Sequence, residues 1–309
     1  MTKSAQPERS AVHRRQLNHS WLNYRCQGAD YLPPDYYVSL LKPYVFCGRP
    51  DVELFHEFLV SREIRKHPRT LEIGSGTGRA TTALLNSINP GRLTLVDRSS
   101  RMLSFLKDSI LAGVSAEFCL RDAIEFCQET QDRFDLVYSL WSMSHAVHQT
   151  IFTLGVERGT REASAALRRL FEVVLRPGGA AFLLHFDSTS PEQVISLRQR
   201  SKLFTFLRPG QKSPSQLILE RLFAELSATK TFIVTRRRML GAPIVYGCME
   251  EALEIFMNFH MEGYFNASPI VASVISELQK DLRPFQQKDG TIRIQPGCLI
   301  YVCQKSRPA

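Results

Sequence analysis

The chain is 309 residues long, 44% of its residues are apolar, and its formal charge is +9. This length and apolar content are sufficient for one large folded unit with additions. No stretch has the unbroken apolar length of a membrane span, and the polar N-terminus lacks the apolar run of a secretory signal, so we expect a cytoplasmic protein with no membrane partner.

The cysteines and the basic residues are both scattered. Seven cysteines occur without a C-x-x-C pair or a matching histidine spacing, which predicts reduced thiols and no metal site. The positive charge is diffuse, and no RNA-binding module or alternation of basic and aromatic residues is present. This argues against a nucleic-acid partner, although Arg236 to Arg238 could meet an acidic group of a substrate.

The N-terminal part of the chain divides into two segments. Residues 1–18 are polar and are expected to be a disordered leader. Residues 19–66 are rich in aromatic side chains, among them Tyr24 and Tyr31, and prolines interrupt them repeatedly. The prolines predict short helices and turns rather than one long element.

The most informative stretch begins at Leu71. An apolar strand leads through Glu72 into a glycine-rich turn, which reads Gly74-Ser75-Gly76-Thr77-Gly78. Such a turn lets the backbone approach a ligand closely, and Asp97, nineteen residues beyond the last glycine, can hold a ribose. The spacing differs from the dinucleotide pattern G-x-G-x-x-G, and no Lys-Ser/Thr follows as in a P-loop. We therefore expect an adenosyl cofactor.

Apolar periodicity then predicts alternating helices and strands. The expected elements are a helix over 79–88, a strand over 92–97, a helix over 102–110, and strands over 116–120, 134–140 and 180–186. Strands that alternate with helices predict a parallel sheet covered on both faces. Asp97 would lie at the carboxyl end of its strand, where such sheets bind ligands.

Four stretches in this order resemble the class I S-adenosylmethionine-dependent methyltransferases. They are the G-x-G-x-G turn preceded by Glu72, the acid Asp97, the pair Asp122-Ala123, and the turn Leu175-Arg176-Pro177-Gly178-Gly179. The resemblance spans roughly residues 70–187. It implies an α/β fold, a Rossmann-like doubly wound sheet of seven strands, with its core in residues 67–190.

The resemblance also implies the cofactor, S-adenosyl-L-methionine, and its contacts. Asp122 would accept a hydrogen bond from the adenine amino group. The N-terminal segment would form a helical lid over the cofactor, or its aromatic residues could simply pack a helix onto the sheet. The expected cofactor-binding residues are Glu72, Gly74, Ser75, Gly76, Thr77, Gly78, Asp97, Arg98, Met102, Asp122, Ala123, Ser139, Leu140, Tyr24 and Tyr31.

Residues 191–309 are expected to complete the sheet. A helix over 216–226, a strand over 231–235 and a closing hairpin strand over 291–304, which Pro296-Gly297 interrupts, follow from the apolar pattern. Between them lies a helical insertion, about 248–285, in which Ser268-Pro269 is expected to cap the second helix. The insertion could cover an acceptor pocket, or its apolar faces could be ordinary core.

The end of the strand over 134–140 is expected to carry the catalytic group. It runs through Trp141 into Ser144-His145, which resembles a stretch of the family that often ends in a histidine pair, with His145 at the second position and Ser144 in place of the first histidine. An imidazole is suited to accept a proton near neutral pH, although a structural role for His145 is an open alternative. His148 and His185 are weaker candidates. The expected acceptor-binding residues are Trp141, His145, Phe256, His260 and Tyr264.

These features predict a biosynthetic methyltransferase that acts on oxygen, nitrogen or carbon of a small-molecule metabolite, as a monomer or a homodimer. One alternative is an enzyme that breaks another bond to the sulfur, by aminocarboxypropyl transfer or cyclisation, and releases methylthioadenosine. The other is an RNA or protein methyltransferase. Fold and cofactor motifs cannot separate these, because the acceptor site decides the reaction.

Overall fold

The computed structural model describes residues 21–22, 32–62, 64–109 and 115–307. The predicted leader, Tyr24 and Tyr31 lie outside these residues. The N-terminal segment forms short elements: helix α1 (Pro34–Leu41), strands β1 (Val45–Phe46) and β2 (Arg49–Pro50), and helix α2 (Asp51–Ser61). Pro34 occupies the first turn of α1, where its missing N–H leaves no hydrogen bond unmade.

The middle of the chain alternates between strands and helices as the periodicity predicts. Its elements are β3 (Arg69–Ile73), α3 (Arg79–Ser87), β4 (Arg92–Asp97), α4 (Ser100–Ser109), β5 (Ala116–Leu120), α5 (Ala123–Glu129), β6 (Phe134–Leu140), α6 (Met143–Leu154), α7 (Val156–Arg169) and β7 (Leu175–Phe186). Strand β7 begins five residues before the predicted position. The predicted turn at Gly178 is an irregularity within β7, because the pairing register with β6 shifts there.

The C-terminal part differs more from the sequence-based expectation. Its elements are α8 (Pro191–Arg200), α9 (Pro214–Ala228), β8 (Phe232–Leu240), β9 (Ile244–Tyr246), α10 (Met249–Ile255), α11 (Val271–Leu282), β10 (Ile292–Ile294) and β11 (Gly297–Lys305). The closing segment is interrupted at Pro296, as predicted, but the part before the break does not join the main sheet: β10 pairs with β9 in a separate small sheet.

Seven strands form the main sheet in the order β5-β4-β3-β6-β7-β11-β8. The pairs among β3 to β7 are parallel, and β11 is antiparallel to both of its neighbours. This confirms the predicted Rossmann-like doubly wound fold. The chain places β4 on one side of β3 and β6 on the other, so a crevice opens where these strands end.

Both faces of the central strands are buried, as a parallel sheet requires, whereas the edge strands β5 and β8 are partly exposed. On β6, Leu136 and Tyr138 face the side covered by α2, and the ring of Tyr138 stacks on Phe55 with centroids 4.4 Å apart. Val137 faces the opposite side, where it packs in the same cluster as Leu167 of α7. The alternation along the strand thus supplies two hydrophobic cores.

The insertion continues the first of these cores. Helix α10 passes into a π-helical turn over Phe256–His260, and the chain leaves it through Glu262, whose φ of 51° is left-handed. Helix α11 begins at Val271 with Ile270 at the N-cap position, so the predicted cap at Ser268-Pro269 was wrong. The side chain of Ser268 instead accepts a bond from the N–H of Ile270 in the preceding turn.

The described part of the chain contains no helix that is long and apolar enough to cross a membrane. Its six cysteines are free thiols, and three of them are buried. Burial raises the pKa of Cys127 to about 12, so this thiol remains protonated and unreactive at neutral pH.

Asp51, the first residue of α2, fastens the N-terminal segment to the sheet. Its buried carboxylate accepts hydrogen bonds from Arg79 at 3.0 and 2.5 Å and from the indole Nε1 of Trp141 at 2.7 Å. Arg79 begins α3 directly after the glycine turn, and Trp141 directly follows β6. One carboxylate therefore joins three segments that meet at the crevice.

We expect Asp51→Ala to lower the free energy of unfolding by about 3 kcal/mol, because the Arg79 charge and the indole N–H lose their partner. Asp35→Ala, an exposed site on α1, is the matched control and should change it by less than about 0.5 kcal/mol. Urea titrations of both variants measure the difference. Equal midpoints for Asp51→Ala and the wild type would show that the junction is held by other contacts.

Candidate functional site

The crevice at the strand ends is a cleft with about 1060 Å³ of empty space. Most of the predicted cofactor-binding residues line it, namely Glu72, Gly74, Ser75, Gly76, Thr77, Asp97, Arg98, Met102, Asp122, Ala123 and Leu140. Gly78 and Ser139 do not line it. Gly78 starts α3 with a left-handed φ of 82°, and the hydroxyl of Ser139 is 2.7 Å from that of Ser142.

The glycine turn passes closely along the end of β6. A Cβ added at Gly74 would lie 2.1 Å from the Cβ of Ser142, so no larger residue fits there. At Gly76, where φ is 50°, an added Cβ would meet nothing within 4 Å. The first glycine therefore permits close packing, whereas Gly76 permits a left-handed turn beside open space.

Asp97 supports this turn from the end of β4. One carboxylate oxygen accepts the N–H of Gly76 at 2.8 Å, and the other accepts the N–H of Ser99 at 2.9 Å. Burial raises the pKa of Asp97, while these hydrogen bonds oppose the rise. Each carboxylate oxygen has a second lone pair, so Asp97 can also accept bonds from the hydroxyls of a ligand.

Glu72 lies beneath the turn and is almost fully buried. One of its oxygens accepts hydrogen bonds from Thr81 at 2.5 Å and Tyr138 at 2.7 Å. Burial raises the pKa of Glu72 to about 8, so the carboxyl is largely protonated at neutral pH. A cation bound in the cleft would favour its ionised form.

Asp122 lies where α5 begins, after β5. Its Oδ1 accepts the N–H groups of Ile124 at 2.7 Å and Glu125 at 3.3 Å, which caps the helix. The cap fixes the carboxylate at the edge of the cleft, and Ala123 leaves room beside it.

A second cavity, which is smaller than the cleft, lies beyond it between α6, α8 and the insertion. Tyr37 and His145 line both spaces. The second cavity is rich in imidazoles, since His145, His148, His185 and His260 all line it. A group bound there would therefore meet the cleft at His145.

His145 is paired with a carboxylate that the sequence does not reveal. Its Nδ1 lies 2.7 Å from Oε1 of Glu262, the left-handed residue after the π-helical turn, whose side chain is 3% exposed. Burial alone would raise the pKa of Glu262, but His145 and then Arg200 outweigh it and lower the pKa to about 2. Glu262 is therefore ionised at neutral pH. Left-handed backbone at a residue with a side chain often marks a functional position.

The other three imidazoles are held neutral. Burial lowers the pKa of His185 to about 4, and its Nδ1 donates to the carbonyl of Phe186 at 2.6 Å. Burial and the charge of Arg200 lower the pKa of His260 to about 3 and that of His148 well below its usual value. None of these three lines the cleft. Of the four histidines that line the second cavity, only His145 also lines the cleft.

The predicted acceptor-binding residues do not all lie in the same space. His145 and His260 line the second cavity, whereas Trp141 lines the cleft and has a left-handed φ of 66°. Phe256 is fully buried against the ring of His260, 4.4 Å between centroids, and lines neither space, so that expectation was wrong. Tyr264 lies beside the second cavity in a small recess lined also by Arg98.

The basic triplet on β8 is largely used within the protein. Arg236 pairs with Glu220 at 2.5 Å, and Arg238 pairs with Asp187 at 2.6 Å. These ion pairs do not support the alternative in which the triplet holds an acidic group of a substrate.

The family model described as a methyltransferase domain matches residues 70–179, which contain the glycine turn, Asp97, Asp122 and His145. This part of the chain is therefore a methyltransferase domain, and its sheet has the class I methyltransferase fold. A search of the curated proteins finds no match to this chain.

Two solved structures have the same fold. A proposed methyltransferase from Bacillus halodurans is 12% identical with a TM-score of 0.50, and the alignment covers 83% of this chain and 99% of the other. Loganic acid methyltransferase, solved with S-adenosylhomocysteine, is 12% identical with a TM-score of 0.53, and the alignment covers 82% of this chain and 92% of the other. At this identity the likeness establishes the fold alone.

The sequence analysis did not predict several residues that line the cleft. Arg79 and Ser142 are direct neighbours of predicted positions, and Tyr37 belongs to the aromatic N-terminal segment, so each carried some signal. The sequence carried no such signal for Glu262, because nothing in the insertion marks it as the partner of His145, which lies 117 residues earlier.

We expect Asp97→Ala to weaken binding of S-adenosylhomocysteine at least roughly tenfold, because the glycine turn and the ligand hydroxyls lose a buried acceptor. Asp108→Ala, at an exposed position of the following helix, should leave the affinity unchanged. Calorimetric titration of both variants is the measurement. Wild-type affinity in Asp97→Ala would remove this residue from the binding site.

Proposed function

We propose that this methyltransferase acts on a small-molecule acceptor, at an oxygen, nitrogen or carbon atom that loses a proton, with His145 as the general base. The observation that carries the proposal is the position of His145. It lies where the cleft meets the second cavity, and its Nδ1 is 2.7 Å from Glu262.

The cleft has groups for each part of S-adenosylmethionine. Asp97 would accept the ribose hydroxyls, Asp122 would accept the adenine amino group, and the glycine turn above Glu72 would pass beneath the methionine portion. When bound, the cofactor supplies a methyl group on a cationic sulfur. The protein then has mainly to align the acceptor and to exclude water.

Glu262 decides which nitrogen of His145 is available. An ionised carboxylate beside Nδ1 favours the tautomer with its proton on Nδ1, which leaves Nε2 free to accept a proton from the acceptor. The same negative charge stabilises the imidazolium that forms. Glu262 is therefore proposed as a positioning residue for the base.

The second cavity supports a small acceptor. The insertion contributes Phe259 and His260 to its wall, and several polar side chains converge on it. Sites that bind small molecules are typically concave and carry a few convergent polar groups. The solved relative named for loganic acid is consistent with a small acceptor.

The released product tests the reaction type. We expect the enzyme, incubated with S-adenosylmethionine and a small-molecule fraction of a cell extract, to release S-adenosylhomocysteine, identified by liquid chromatography and mass spectrometry. Release of methylthioadenosine instead would mean aminocarboxypropyl transfer or cyclisation. Product formed only after RNA or protein is added back would identify a macromolecular acceptor.

Two variants test the base and its partner. We expect His145→Ala to lower kcat by about 10²- to 10⁴-fold, because the acceptor proton loses its base. Glu262→Gln should lower kcat by roughly tenfold or more, because the imidazole loses its orientation. Binding of S-adenosylhomocysteine should be retained in both.

His56→Ala and Glu157→Gln are the matched controls, since both positions are exposed and neither lines the two spaces. Both should turn over at the wild-type rate. Full activity in His145→Ala would show that His145 has only a structural role and would contradict the proposed mechanism.

A further inference from the structure

We propose that the acceptor carries a carboxylate that is not itself methylated, and that Arg200 and His148 bind this group in the second cavity. The inference rests on the proposed function, since it describes what the acceptor pocket recognises.

Arg200 is a buried cation with an unused donor. It is the last residue of α8 and is 6% exposed. Its Nη2 lies 3.4 Å from Glu262 and its guanidinium lies over the ring of Phe204, but its Nε has no hydrogen-bond partner. A buried donor without a partner is costly, which points to a ligand that completes the site.

His148 presents a second unused nitrogen. It lies on α6 and is 4% exposed, and its Nε2 has no hydrogen-bond partner. Arg200 and His148 line the same cavity, and the charge of Arg200 is one cause of the lowered pKa of His148. A neutral imidazole can donate from Nε2, so the two side chains offer two donors to one ligand.

The charged side chains that line the second cavity favour an anionic ligand over a cationic one. None of the residues that line the second cavity is an aspartate or glutamate, and Arg200 is the only arginine or lysine among them. The imidazoles of His148, His185 and His260 are neutral, so they do not alter this balance. Arg200 shares its charge with Glu262, which lies 3.4 Å from Nη2, whereas its Nε and the Nε2 of His148 remain as two donors that match the two oxygens of a carboxylate.

The bound carboxylate lies away from the reacting centre. Arg200 and His148 line the second cavity but not the cleft, whereas His145 lines both. The group that they hold is therefore separated from the methyl donor by the base. The acceptor would thus be bifunctional, with its carboxylate at Arg200 and its nucleophile at His145.

The product of the reaction tests this directly. The enzyme is incubated with methyl-labelled S-adenosylmethionine and a small-molecule extract, and the labelled product is applied to an anion exchanger at pH 7. We expect the product to be retained and to remain retained after phosphatase treatment. Product that flows through would overturn the carboxylate, and product that phosphatase releases would replace it with a phosphate. The absence of any labelled product would overturn the proposed function instead.

Variants at Arg200 test the binding role, with a dilution series of the same extract as the acceptor source. We expect Arg200→Met to raise the half-saturating extract concentration at least roughly tenfold, because a charge-assisted hydrogen bond is lost. Arg200→Lys, which keeps the charge beside Glu262, should restore part of this loss. His148→Phe should raise the half-saturating concentration as well.

Arg198→Met is the matched control, because Arg198 lies on the same helix but is exposed and pairs with Asp281. It should saturate at the wild-type extract concentration. Binding of S-adenosylhomocysteine reports the folding of each variant. A lower kcat at unchanged half-saturation in Arg200→Met would show that Arg200 acts only through Glu262, and would overturn the carboxylate site.

Discussion

The ionised carboxylate of Glu262 is the contact on which both cavities depend. It lies 2.7 Å from His145 of α6 and 3.4 Å from Arg200 of α8, and the side chains of Glu262 and Arg200 are both buried. Burial alone would raise the pKa of this carboxyl, as it does for Glu72, but the two partners outweigh that effect. The left-handed backbone at Glu262 costs on the order of 1–2 kcal/mol, which the paired charge helps to offset.

The parts of the fold that form the cleft follow from local sequence. Apolar runs such as Arg92–Asp97 and Phe134–Leu140 are long enough to read as strands, and the polar residue after each run must lie at the edge of the sheet. The glycines at 74 and 76 are explained by their positive φ angles and the approach of Ser142. The sheet and most of the cleft were therefore predictable.

The acceptor side was not predictable to the same degree. Phe256 and His260 lie on one apolar face, yet only His260 reaches a cavity, because the π-helical turn and the packing of Phe256 against its neighbours decide their exposure. The break at Pro296-Gly297 in the closing segment was predictable, but the pairing of Ile292–Ile294 with β9 in a separate sheet was not. Contacts across long stretches of chain settled both cases, and no local pattern encodes them.

The two spaces differ in electrostatic character, and the difference suits the two substrates proposed for them. In the cleft, carboxyls and arginines line the same wall, and burial raises the pKa values of Glu72 and Asp97, so a bound cation would shift both carboxyls toward their ionised forms. In the second cavity, Arg200 lies among neutral imidazoles and no carboxylate lines the wall. His145 stands between a space of mixed charge and one whose lining carries no acidic group. A substrate with a carboxylate would therefore bind more favourably in the second cavity than beside the carboxyls of the cleft, which helps to keep the two substrates on opposite sides of the base.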